Sequence, residues 1–189
     1  MKVWMVRHGE SETNRDGLWT GWLDAPLTEK GRADAVSASK LLADLPFDKI
    51  YASDLLRART TAEIAIPGCT YETTPLLREI NVGNIAGKPL GIVASREGIS
   101  WNKDGYVQFG GESRSQFAQR IGAFLKQLET EDYENVVVFS HAGVIRTFLD
   151  LVLGIDVPRK NMFCGNCAVA VFEFHNSHWR LHSWINLNA

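Results

Sequence analysis

Lys2–Asn14 reads KVWMVRHGESETN. Its apolar run, Val3-Trp4-Met5-Val6, has the composition of a strand buried on both faces in the middle of a sheet. The chain then turns polar at Arg7, His8, Gly9, Glu10 and Ser11. Arg7 and His8 are thereby expected at the carboxyl end of a strand, where open α/β sheets hold their ligands. A guanidinium forks two hydrogen bonds onto phosphate oxygens. An imidazole serves as nucleophile or proton carrier near neutral pH. An isolated Arg-His pair is more often a surface pair. Gly9, which lets a backbone approach a ligand closely, strengthens the reading that this pair works on an anion.

Working outward, the pattern alternates between strands and helices. Leu18–Leu27 is loop-like, and Thr28 then caps a helix with Ala35, Ala38, Leu42 and Leu45 on one face. Asp48–Ser53 reads as a second strand. Ser53-Asp54 is expected to cap a helix running to about Ile66, ended by Pro67-Gly68. Thr70–Thr74 reads as a third strand, and Ser113 opens a helix whose Phe117, Ile121, Phe124 and Leu128 fall on one stripe. Val136–Phe139 is a buried strand, and His141-Ala142-Gly143 opens a helix with Ile145, Phe148, Leu149 and Val152 inward and Gly154 just past its end. Cys167–His175 and Trp179–Ile185 are final strands around a tight turn at Asn176-Ser177. Strands alternating with helices imply a mostly parallel sheet with helices on both faces, a three-layer α/β/α fold. No repeat or linker interrupts the chain, so residues 1–189 read as one domain. Arg78–Gly111 is the least regular stretch, with seven glycines, one proline and a helix expected near Leu90–Arg96.

Composition narrows the function classes. The chain has 189 residues, 45% apolar and 22% charged, with a formal net charge of -2 and no long basic run. These values fit a globular domain and disfavour a nucleic-acid surface. No apolar run is long enough to span a membrane. The four apolar residues after Met1-Lys2 are too few for a secretory core, and three cysteines cannot all pair within one chain. A reduced, cytoplasmic protein, monomer or homodimer, is the expectation.

Four stretches fall at strand-to-helix junctions: Arg7-His8, Ser53–Thr61, Leu77–Ile80 and Ser140–Gly143. Their residues resemble the signatures of the histidine phosphatase superfamily, which includes cofactor-dependent phosphoglycerate mutases. The resemblance rests on Arg7-His8-Gly9-Glu10 with Asn14, on Thr20-Gly21-Trp22-x-Asp24, and on Ser53-x-x-x-Arg57-Ala58-x-x-Thr61. It extends to Glu79, to Gly110-Gly111-Glu112-Ser113 and to His141 followed by Gly143. It implies a phosphoglycerate mutase-like fold, phosphorylation of His8, phosphoryl binding by Arg7, Arg57, Asn14 and His141, and Glu79 as general acid and base. Thr20 and Gly21 are further substrate-binding candidates. The chain departs from the family where Gly83-Asn84-Ile85-Ala86-Gly87 replaces the common G-x-W-E-G.

The implied reaction is metal-independent and cofactor-free hydrolysis of a small phosphorylated metabolite, with α-ribazole phosphate and sugar phosphates as candidate substrates. A phosphoglycerate mutase is the rival reading, and a phosphate-binding module without turnover is the reading from another class. Residues 85–111 are expected to form a lid carrying specificity, with Arg96, Trp101, Lys103, Tyr106 and Phe109 as its chemically informative residues. Cys164-x-x-Cys167 lacks the second pair a zinc site needs and leads into a strand. His175, His178 and His182 cluster near the last turn and read as structural or surface residues rather than metal ligands.

Overall fold

The computed structural model describes residues 1–43, 45–91, 104–158 and 161–187. The strands are β1 (Lys2–Arg7), β2 (Lys49–Ser53), β3 (Glu72–Thr74), β4 (Asn135–Ser140), β5 (Val169–His175) and β6 (His178–Ile185). The helices are α1 (Glu12–Arg15), α2 (Glu29–Leu42), α3 (Leu56–Ala65), α4 (Arg114–Glu129) and α5 (Ala142–Leu153). One six-stranded sheet runs β3-β2-β4-β1-β5-β6. The β3-β2, β2-β4 and β4-β1 pairings are parallel, and β5 and β6 join antiparallel.

Period-two alternation sends successive strand residues to opposite faces, and both faces are covered. Val3, Met5, Val136, Val138, Ala170 and Phe172 pack with Phe117, Ile121 and Phe124 of α4 and Ile145 and Phe148 of α5. Val6, Val137, Phe139, Val169 and Val171 pack on the other face with Leu42 of α2 and Ala62 and Ala65 of α3. The expected three layers are therefore present.

Local chemistry explains the element boundaries. Thr28 Oγ1 accepts the Gly31 amide, and Ser113 with Gln116 closes a capping box on α4. Gly154 ends α5 in the left-handed region, at φ 67°. Asn176 and Ser177 both have positive φ, giving the tight β5-β6 turn.

Two expectations change and one element is added. Leu45 lies beyond the end of α2 and packs from the following loop. The one-turn helix α1 carries too little periodicity to be read from sequence, and its Ser11–Asn14 capping box defines it instead. Ser53-Asp54 does not cap α3. The cap residue is Leu55, and the Leu56 amide is taken at 2.6 Å by Asp24 Oδ1, from a loop 32 residues earlier. The helix expected near Leu90–Arg96 lies mostly outside the described residues.

Candidate active site

The parallel pairing of β1 with β4 sets the core of the site. Arg7 is in register with Ser140, so His8 and His141 leave the sheet side by side, ring centroids 5.1 Å apart. Both imidazoles are buried. His8 Nδ1 donates to the Gly9 carbonyl at 2.7 Å, which leaves Nε2 as the lone-pair nitrogen, 3.3 Å from Arg57 Nε. Burial, then Arg57 and Arg7, push the His8 pKa well below the ordinary histidine value. His141 is lowered in the same way, by burial first and then by Arg57. Its Nε2 lies 2.9 Å from Ser53 Oγ, while its Nδ1 is buried with no protein partner. Ser53 Oγ also accepts the Leu55 amide and keeps both its proton and a second lone pair for His141 Nε2, so it can serve either His141 tautomer, and the one that leaves N–H on Nδ1 presents a donor there.

Arg57 is fully buried and would be costly there without acceptors. Gly21 O and Leu23 O supply them, at 2.9 and 3.0 Å from its Nη2 and Nη1. Burial lowers its pKa only to about 10, so the charge is kept at neutral pH. Arg7 Nη1 donates to Cys164 O at 2.6 Å, and Arg7 Nε is a second buried donor with no protein partner. Asn14 Oδ1 accepts from Ser11 N and Asn166 Nδ2, leaving Nδ2 as its donor end.

Glu79 follows the turn Pro75–Leu77. Its carboxylate accepts Ile80 N at 2.9 Å and Gly143 N, in the first turn of α5, at 3.1 Å. A Cβ at position 143 would collide with Glu79 Oε1, which is why glycine stands there. The Glu79 carbonyl accepts the Trp22 indole N–H at 2.7 Å, and the Arg78 guanidinium covers the Trp22 ring at 4.8 Å while pairing with Asp54. One loop, Thr20–Asp24, thus ties together Arg57, the start of α3 and Glu79.

Arg7, His8, Asn14, Gly21, Arg57, Glu79 and Gly143 line one cavity of about 380 Å³, together with Leu18, Trp19, Val82, Leu90, Tyr106 and Arg146. Its size suits a small ligand. A wider groove of about 600 Å³ near Phe117, Leu151 and Ile155 contains no histidine, and we place the chemistry in the former. The expected site residues Arg7, His8, Asn14, Thr20, Gly21, Arg57, Glu79 and Tyr106 all line the smaller cavity. His141 does not itself line the cavity; it is buried behind His8, ring edge against ring. Arg96, Trp101 and Lys103 lie outside the described residues. Among the described residues, no group of three or more His, Cys, Asp or Glu side chains is placed to hold a metal.

Some sequence readings shift in meaning. Gly9 approaches another backbone closely, that of Gly31 in α2. Cys164 and Cys167 are buried free thiols, and burial pushes Cys167 up to about 12. Their backbone matters instead: Cys164 O holds Arg7, and Cys167 N and Asn166 Nδ2 hold His8 O. Phe109 packs into the core, whereas Tyr106 both packs and faces the cavity, edge-on to Trp19 at 5.4 Å. Trp19, Arg146 and Asn166 were invisible to motif reading because no local pattern marks them.

The histidine phosphatase superfamily (branch 1) model matches residues 3–187. A Salmonella typhimurium adenosylcobalamin/alpha-ribazole phosphatase is 33% identical over 81% of this chain and 80% of its own length. An Erwinia tasmaniensis protein named Probable phosphoglycerate mutase GpmB is 31% identical over 98% of this chain and 90% of its own. Among solved structures, a mycobacterial glucosyl-3-phosphoglycerate phosphatase in complex with VO3 superposes with a TM-score of 0.83. It is 29% identical and covers 97% of this chain and 98% of that one. The phosphoglycerate mutase-like arrangement of sheet and helices, the clustered histidines and arginines, and these likenesses agree: the chain belongs to the histidine phosphatase superfamily, branch 1, and its activity is of the histidine phosphatase type.

Proposed function

We propose that the protein hydrolyses small phosphate monoesters, without metal or cofactor, through a phosphohistidine formed at His8 Nε2. The observation that carries this reading is the state of His8. Its Nδ1–H is held by Gly9 O, and its Nε2 lone pair stands at Arg57, beside Arg7 and His141, in the cavity that also contains Glu79.

In the proposed cycle, His8 Nε2 attacks phosphorus as the ester P–O bond breaks. Arg57, the unpartnered Nε of Arg7, His141 Nδ1 and Asn14 Nδ2 take the phosphoryl oxygens and offset their charge. A protonated Glu79 gives its proton to the departing alkoxide. The resulting carboxylate then takes a proton from water, whose oxygen attacks the phosphohistidine. The P–N bond breaks, the lone pair returns to Nε2, and phosphate leaves. Arginines supply the positive charge that a metal provides in other phosphoryl transfers.

The substrate is a small phosphorylated metabolite, and α-ribazole phosphate and sugar phosphates are the first esters to try, given the relatives. The unpaired thiols Cys69, Cys164 and Cys167 support a reduced, cytoplasmic setting. Among the described residues no helix is long and apolar enough to cross a membrane. The test is phosphate release from a panel of esters in excess EDTA. The wild type turns over undiminished and His8→Ala does not. Activity that is lost on chelation and restored by a divalent ion contradicts the mechanism. Isomerisation of a phosphoglycerate faster than phosphate release selects the mutase reading that the Erwinia relative's name favours.

A further inference from the structure

The segment that presents Glu79 has little regular structure. After the single turn Pro75–Leu77, closed by Arg78 N on Pro75 O, it runs irregularly to Gly83, so most of its carbonyls lack helix or strand partners. One side chain of α4 reaches four of them, while Ser140 Oγ takes Leu77 O and the Trp22 indole shares Glu79 O. Arg120 Nη1 donates to Pro75 O, Leu76 O and Arg78 O at 3.3, 2.9 and 2.8 Å, and Nη2 donates to Glu79 O at 3.2 Å. Arg120 Nε and Nη2 also grip Glu112 Oε1 and Oε2 at 2.9 and 2.8 Å. This pair is largely buried, 14% and 16% exposed, and Phe117 backs the guanidinium at 5.0 Å. Glu112 continues the network past Glu79: its Oε2 accepts Asn81 N at 2.7 Å, and its own amide donates to Asn81 O at 2.8 Å.

The bonds therefore bracket Glu79, from Pro75 on one side to Asn81 on the other, and one lands on Glu79 itself. Five N–H donors in a planar fork suit such a role, and an ammonium cannot copy it. We infer that Arg120, locked by Glu112, is a positioning residue that holds the Glu79 carboxyl where the leaving oxygen must be protonated. Neither side chain lines the cavity, so neither touches substrate. The inference rests on the proposed acid-base role of Glu79.

Leaving-group dependence separates positioning from general support of the fold. Glycerol phosphate releases a strongly basic alkoxide and needs the acid, while 4-nitrophenyl phosphate releases a weakly basic phenolate and hardly does. kcat/KM for each ester reports the steps through alcohol release, and the ratio of the two is independent of the fraction of enzyme folded. Arg120→Lys is expected to lower kcat/KM for glycerol phosphate by about 30-fold and for 4-nitrophenyl phosphate by less than about threefold, the scale of a misplaced general acid. Glu112→Gln should shift the ratio in the same direction, and provides the measurement if Arg120→Lys does not fold. Glu79→Gln is the calibrator and should show the largest selective loss. If Glu79→Gln is selective but Arg120→Lys, or its substitute, loses both esters equally, Arg120 only supports the fold and the inference is overturned alone. If Glu79→Gln loses both equally, the acid role itself falls and the inference with it.

Discussion

The floor and the wall of the cavity are built from different interactions. On the floor, Arg7, His8 and Arg57, with His141 buried behind His8, each have a nitrogen fixed by a directional bond, mostly to a main-chain carbonyl. On the wall, Trp19, Ile80, Val82, Leu90 and Tyr106 meet the cavity chiefly through apolar surface. Directional bonds to buried charge fix positions closely, which suits the phosphoryl group common to all substrates. Apolar contact is non-directional and follows shape, which suits the part that differs between them. The floor should therefore set how fast any ester reacts, and the wall should set which ester is preferred.

The largest effect expected from this contrast is at Arg57. Arg57→Lys keeps the charge but cannot serve Gly21 O, Leu23 O and the phosphoryl oxygens together. kcat/KM should fall by about 10²–10³, roughly 3–4 kcal/mol, and by the same factor for three unlike esters. A change in the ratio between esters would break the division between floor and wall. Trp19→Ala or Tyr106→Ala should do the opposite, shifting preference among the same esters by about tenfold, or about 1.4 kcal/mol. A uniform loss would move specificity away from these two residues.

A smaller, physical consequence concerns pH. His8 and His141 are both held neutral by burial and neighbouring arginines, while the unfolded chain takes up protons below about pH 6.5. Between about pH 6.5 and 5 the unfolded state therefore binds more protons than the native one, and stability falls as pH is lowered. Denaturant titrations should show this slope, and His141→Asn should flatten it. A slope left unchanged in His141→Asn would remove the assigned cause.

The floor was far more legible in the sequence than the wall, for the same physical reason. Arg7-His8 and Ser140-His141 lie directly after apolar strands, so hydropathy alone places them at strand ends. The strand alternation likewise reveals the layers. Asp24 capping α3 and Arg120 holding the Glu79 loop are long-range hydrogen bonds, and no local pattern encodes them. The Cys164–Cys167 spacing drew attention to thiols when its backbone is what holds Arg7 and His8. Trp19 resembled any loop aromatic until Tyr106, 87 residues later, was brought against it.

The central claim is that His8 Nε2 carries the phosphoryl group, and trapping it is the most direct test. Wild type mixed with 4-nitrophenyl phosphate and quenched in base within the first turnovers should retain one phosphoryl group per chain. Peptide mass spectrometry should place it on His8, base-stable and acid-labile, and His8→Ala should carry none. Absence of label in the wild type under conditions of full turnover, or label on another residue that persists in His8→Ala, would contradict the account.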